Sequence, residues 1–119
     1  MTKKENALFF GAASEIVTPF TREGEVDHAA LAGEIEFMVG SGITGLFMNG
    51  LASEALMMPL ADRIAAAKTV MNAAKGRIPV MGNVIANSLN EGVEMSKIYE
   101  SMGVDAITIT PPILYKYSS

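Results

Sequence analysis

No cysteine occurs among the 119 residues. That excludes a disulfide framework, a thiolate zinc site and a thiol nucleophile. Apolar runs of the roughly 18 residues needed to cross a bilayer are missing as well, so no membrane partner is expected. The opening Met1-Thr2-Lys3-Lys4-Glu5-Asn6 has two lysines but neither an apolar core nor a cleavage-site pattern behind them. A signal peptide is therefore not expected, and a cytoplasmic location is. Basic residues are few: nine Lys and Arg against thirteen Asp and Glu, a net charge of −4. A nucleic-acid partner needs a clustered basic surface and is not expected here. What is present is apolar. Half the residues are hydrophobic and 18% are charged, which excludes a disordered or low-complexity chain and leaves one ordinary globular unit at most.

Residues 1–8 read as a polar arm. Ala12 to Thr18 is a short apolar run closed by Pro19, the mark of a buried strand. Thr21 to Glu25 is a turn, and Asp27 can cap a helix whose apolar face is Leu31, Ile35, Met38 and Gly42. Leu46-Phe47-Met48 is a second strand. Pro59 opens a helix with the stripe Leu60, Ile64, Ala67, Met71 and Ala74, ending at Gly76. Ile78-Pro79-Val80-Met81 is a third strand. Ser88-Leu89-Asn90-Glu91 is a capping box before a helix that buries Met95, Ile98 and Met102 and stops at Gly103. Ala106 to Thr110 is a fourth strand, stopped by Pro111-Pro112. The nine methionines are explained by core packing.

The helix exits share one grammar: a glycine (Gly42, Gly76, Gly103), a short link, then a fully apolar strand. The first two glycines are 34 residues apart and the last two 27, the size of one strand–helix unit. Such strands imply a parallel sheet with right-handed crossovers. An open flavodoxin-like sheet fits this pattern. So does the first half of a (β/α)8 barrel, which needs about 250 residues in all. The text runs only to Ser119, just past strand four and without a covering helix, so the expectation is an α/β chain in which residues 9–119 are the N-terminal half of a TIM barrel, truncated after strand four.

In either architecture ligands meet the C-terminal ends of the strands. The candidate segments there are Thr18-Pro19-Phe20, Asn49 to Glu54, Gly82 to Asn87 and Pro111 to Tyr117. Gly50 with the small residues after it can turn backbone N–H groups toward an anion such as a carboxylate. A plain connecting loop has the same composition. Glu54 is either a general acid/base or a loop anchor. His28, the one histidine, reads as a solvated residue at a helix start. Lys116 is a lysine near a strand end, where desolvation could expose a nucleophilic amine, but several residues past a strand such a lysine is ordinarily solvated.

The order of short motifs is distinctive. Gly11 and Ile16-Val17-Thr18-Pro19-Phe20 come first, then Ser41-Gly42, Gly50-x-x-Ser53-Glu54, Asp62-Arg63 and Gly76-Arg77-Ile78-Pro79-Val80. Ala86-Asn87-Ser88 and Gly103-Val104-Asp105-Ala106 with Pro111-Pro112 complete it. Over residues 8–118 this series resembles the dihydrodipicolinate synthase/N-acetylneuraminate lyase family. The resemblance implies a (β/α)8 barrel assembled as a homotetramer, a dimer of dimers. It implies a lysine that forms a Schiff base with pyruvate or another 2-oxo acid, followed by aldol chemistry with a small aldehyde or a sugar-acid co-substrate. No metal or other cofactor is implied. The Schiff-base lysine and a catalytic tyrosine would fall beyond Ser119, so no catalytic residue is expected within this chain, and Lys116 does not match the lysine position.

The same resemblance makes Gly50, Leu51, Ala52 and Ser53 the loop that binds the substrate's carboxylate, with Thr18, Glu54 and Leu114 lining the pocket. Where the family loop reads Gly-Thr-Thr-Gly-Glu, Leu51 stands for a relay hydroxyl and Ala52 for a carboxylate-binding hydroxyl. Ile113-Leu114 replace a Tyr-Tyr pair, and Asn83 and Ile85 replace glycines. The expectation is a Schiff-base lyase with a substrate other than that of true dihydrodipicolinate synthesis. The alternative is a family barrel without catalysis that serves as a binding or structural subunit. In both cases this chain by itself should be inactive.

Overall fold

The computed structural model describes residues 9–112. The arm 1–8 and the segment that holds Leu114 and Lys116 lie outside the described residues. Four strands alternate with three helices: β1 (Ala13–Glu15), α1 (His28–Gly40), β2 (Gly45–Met48), α2 (Leu60–Ala74), β3 (Val80–Ile85), α3 (Leu89–Met102) and β4 (Ala106–Thr110). The strands form one sheet in the order β1-β2-β3-β4 with every pair parallel. A doubly wound sheet reverses its strand order at a switch point. This one advances strictly in sequence, as successive strands of a barrel do.

The helix ends follow from local chemistry. Asp27 accepts a hydrogen bond from the Ala30 N–H at 2.9 Å, and Ser88 accepts one from the Glu91 N–H at 3.2 Å. Each satisfies an orphan donor of a first turn. Gly103 closes α3 at φ 79°, in the left-handed region.

A single apolar core lies between the helices and one face of the sheet. Ile16, Leu46, Met48, Val80 and Val84 meet Leu31 and Ile35 of α1, Ala66, Ala67 and Val70 of α2, and Met95 and Tyr99 of α3. The residues alternating with these, Glu15, Phe47, Met81 and Asn83, belong to the opposite face. In β4 the register places Ile107 beside Gly82 and Ile109 beside Val84, on the helix-covered side. No described helix covers them, and Ile109 is 75% exposed. A groove of about 860 Å³ runs there between α3 and β4.

Three expectations are corrected. The first strand is Ala13–Glu15 rather than residues 12–18. The third begins at Val80 and runs on to Ile85, so Gly82 to Ile85 are strand and not loop. In α2 the buried residues are Arg63, Ala66, Ala67, Val70 and Ala74. Leu60, Ile64 and Met71 only flank the core.

Candidate active site

The C-terminal ends of the strands converge on the segment that follows β2. Asn49 leaves the strand with φ 57°, a conformation asparagine tolerates better than most residues. Its buried side-chain amide donates to the Tyr99 hydroxyl at 2.8 Å and to the Arg63 carbonyl at 3.1 Å. The loop Gly50 to Glu54 then passes over the end of β1 and enters a single 3-10 turn, Ala55–Met57, ahead of Pro59 and α2.

Two hydroxyls tie this loop to the residues that follow β1. The Ser53 hydroxyl donates to the Ile16 carbonyl, and the Thr18 hydroxyl donates to the Ser53 carbonyl at 2.7 Å. Both residues are buried. These side chains hold the loop in place through the main chain. The Ala52 N–H points back across β1 and donates to Oε1 of Glu15 at 2.7 Å. Gly50 makes that approach possible: a Cβ there would run into the Glu15 carboxylate and the Phe47 ring. Leu51, at the loop crest, is 64% exposed. Glu54 is exposed at φ 58°, and its side chain caps nothing.

Beside the loop, Asn83 of β3 is almost fully buried and joins three strands. Its Nδ2 donates to the Asn49 carbonyl at 3.1 Å, and its Oδ1 accepts from Thr108 at 2.9 Å and Thr110 at 3.0 Å. On the far side of β3 the Tyr99 hydroxyl donates to the Asn83 carbonyl at 2.9 Å. Burial pushes the Tyr99 phenol up to about 12, which keeps it a neutral donor. Arg63 fastens the floor: it donates to the Ile85 carbonyl at 2.9 Å and pairs with Glu91 at 2.6 Å.

The sequence-derived residues Gly50, Leu51, Ala52, Ser53 and Thr18 therefore come together at the end of β2. His28 is exposed and lies elsewhere, with Nδ1 2.7 Å from the Thr69 hydroxyl. Glu15, Tyr99 and the bridging role of Asn83 were not foreseen. The available signal for Glu15 was a charge inside an otherwise apolar strand. Among the described residues no three acidic, His or Cys side chains are grouped to hold a metal ion, and no helix is long and apolar enough to cross a membrane.

Known proteins resemble this chain in sequence and fold. A DapA-like lyase from Thermofilum pendens is 26% identical over 113 residues, which is 95% of this chain and 38% of that protein. An N-acetylneuraminate lyase from Salmonella paratyphi B is 30% identical over 108 residues, 91% of this chain and 36% of its own length. Among solved structures, YagE, a prophage protein of the dihydrodipicolinic acid synthase family from E. coli K12 in complex with pyruvate, superposes with a TM-score of 0.89 at 28% identity. It is matched over 94% of this chain and 38% of its own. The sialic acid aldolase of Ruminococcus gnavus gives a TM-score of 0.89 at 26% identity, over 94% and 37%. The chain thus spans well under half the length of these relatives, and its four parallel strands with three helices correspond to the N-terminal half of their (β/α)8 barrels. The dihydrodipicolinate synthetase family model matches residues 8–119, and the chain belongs to that family.

Proposed function

We propose that the full-length protein, of which residues 9–119 form the N-terminal half of the barrel, is a class I lyase or aldolase acting through a lysine Schiff base. The lysine lies beyond Ser119. Its iminium withdraws electrons from the bound carbonyl compound and stabilises the carbanion needed to make or break a carbon–carbon bond. The carbonyl compound is pyruvate or another 2-oxo acid, and the second reactant is a small aldehyde or a sugar-derived acid. The protein is cytoplasmic and works as a homotetramer. The groove beside Ile107 and Ile109 is where the next helix of the barrel packs.

The observation that carries this reading is the loop from Gly50 to Ser53, in a chain matched by the family model along its length. Its Ala52 N–H is aimed inward at a carboxylate, and a main-chain donor survives any change of side chain. Leu51 and Ala52 carry no hydroxyl, so the substrate differs from that of dihydrodipicolinate synthesis. The test is reductive trapping. Full-length protein treated with pyruvate and borohydride should gain covalent mass at one lysine beyond residue 119. No gain would refute the mechanism.

One observation favours a second reading. The hydroxyls of Thr18 and Ser53 are both bonded to main-chain carbonyls, and the loop offers no other. A barrel so equipped could bind a ligand or build an oligomer without catalysis. Pyruvate should raise the melting temperature of the enzyme and leave an inert subunit unchanged.

A further inference from the structure

Glu15 ends β1 on the sheet face away from the helices, in register with Phe47. Its Oε1 takes the Ala52 N–H at 2.7 Å, and the missing side chain at Gly50 gives the carboxylate its space. Among the described residues, the ion pairs of Arg63 with Glu91 and of Arg77 with Glu36 do not involve it. The anion at Ala52 is thus supplied by the protein, and its charge is not neutralised by a neighbouring cation among those pairs. A carboxylate arriving at the same N–H would meet a like charge at hydrogen-bond range, where two carboxylates repel strongly.

We propose that Glu15 is a specificity-determining residue: an internal carboxylate that occupies the place of the substrate's own and must be displaced before a free 2-oxo acid can bind. This rests on the reading of Gly50 to Ser53 as the substrate's carboxylate loop. The contact fits the function better than a mere anchor does. The loop is already held by Ser53 on Ile16 and by Thr18 on Ser53, so a third tie to an ionisable side chain is not needed to fix it. The consequence is weak capture of 2-oxo acids by a site whose donor is intact, while a neutral carbonyl compound of the same shape displaces Glu15 without the like-charge repulsion.

The experiment is calorimetric titration of the full-length protein with oxamate, which mimics a 2-oxo acid but has an amide in place of the ketone and forms no imine. Glu15→Ala should bind oxamate at least about tenfold more tightly than the parent, the worth of one charge-assisted hydrogen bond and a removed repulsion. Glu15→Gln, which keeps the shape and loses the charge, should fall between them. Oxamide, the neutral analogue, should distinguish the three less than oxamate does, because it competes with Glu15 for the N–H but is not repelled by it. Equal or weaker oxamate binding in both variants would overturn the proposal, as would an absence of oxamate binding in all three proteins. Should Glu15→Ala fail to fold, Glu15→Gln carries the test. Borohydride trapping with pyruvate, run in parallel, reports on the lysine alone. A failed imine with improved oxamate binding would refute the Schiff-base reading and leave the role of Glu15 standing.

Discussion

Tyr99 shows how much a single side chain can do. It is fully buried, and its hydroxyl both accepts from Asn49 and donates to the Asn83 carbonyl. Its phenol titrates near 12 in the fold, against 10.0 for an ordinary tyrosine. The folded pKa is the raised one, so its contribution to stability is complete below pH 10 and declines as the pH rises toward 12. That shift corresponds to about 3 kcal/mol. Denaturant titrations between pH 9 and 12 should show the decline, and Tyr99→Phe should abolish it while costing about 1–2 kcal/mol at neutral pH through the two lost bonds. Gly82 packs under this ring, and a Cβ there would sit 2.8 Å from Tyr99 Cδ2. Gly82→Ala should therefore destabilise the fold by roughly 1–3 kcal/mol through overpacking, measurable as a lower urea midpoint. Neither residue stood out in the sequence. Tyr99 stands four residues after Met95, where the expected stripe took Ile98 three residues after it; both spacings fit one helix face, and periodicity alone does not choose between them.

At the scale of elements, legibility depended on whether the local signal was self-contained. The caps Asp27 and Ser88, the exit at Gly103 and the whole of β4 were readable, because each is set by a few adjacent residues. β3 was not. Gly82 and Asn83 look like loop residues, and a polar amide in a buried strand is costly unless paired. Its partners, the Asn49 carbonyl and the hydroxyls of Thr108 and Thr110, are 34, 25 and 27 residues away in the chain. No local pattern announces them. The same network makes a prediction: Asn83→Ala should lose about 2 kcal/mol of stability and loosen β4, read as faster amide exchange at Thr108 and Thr110. The helix stripe of α2 was right at Ala67 and Ala74 but took the larger Leu60, Ile64 and Met71 for the buried face in place of Arg63, Ala66 and Val70, because side-chain size outweighs small residues in a periodicity reading. The loop after β2 was legible as a position and as a backbone motif. Its occupant, Glu15, was not, since a contact 37 residues distant depends on the fold.

For the whole molecule, the unfinished face matters most. β1 and β4 are both edge strands of the described sheet, and Ile109 is 75% exposed on the side that helices cover elsewhere. Unpaired edges and apolar surface drive association. Residues 1–119 expressed by themselves should thus elute as dimers or larger species, and Ile109→Lys should shift them toward monomer. A monodisperse monomer would argue against a half-barrel. Barrel closure and substrate binding at the loop after β2 stand or fall together. A crystal structure of the full-length protein soaked with pyruvate tests that union most directly. It should show eight strands closed into a ring, with the ligand's carboxylate on the Ala52 N–H, Glu15 turned aside and the carbonyl carbon bonded to a lysine beyond residue 119. An open sheet, or pyruvate bound away from the loop after β2, would contradict it.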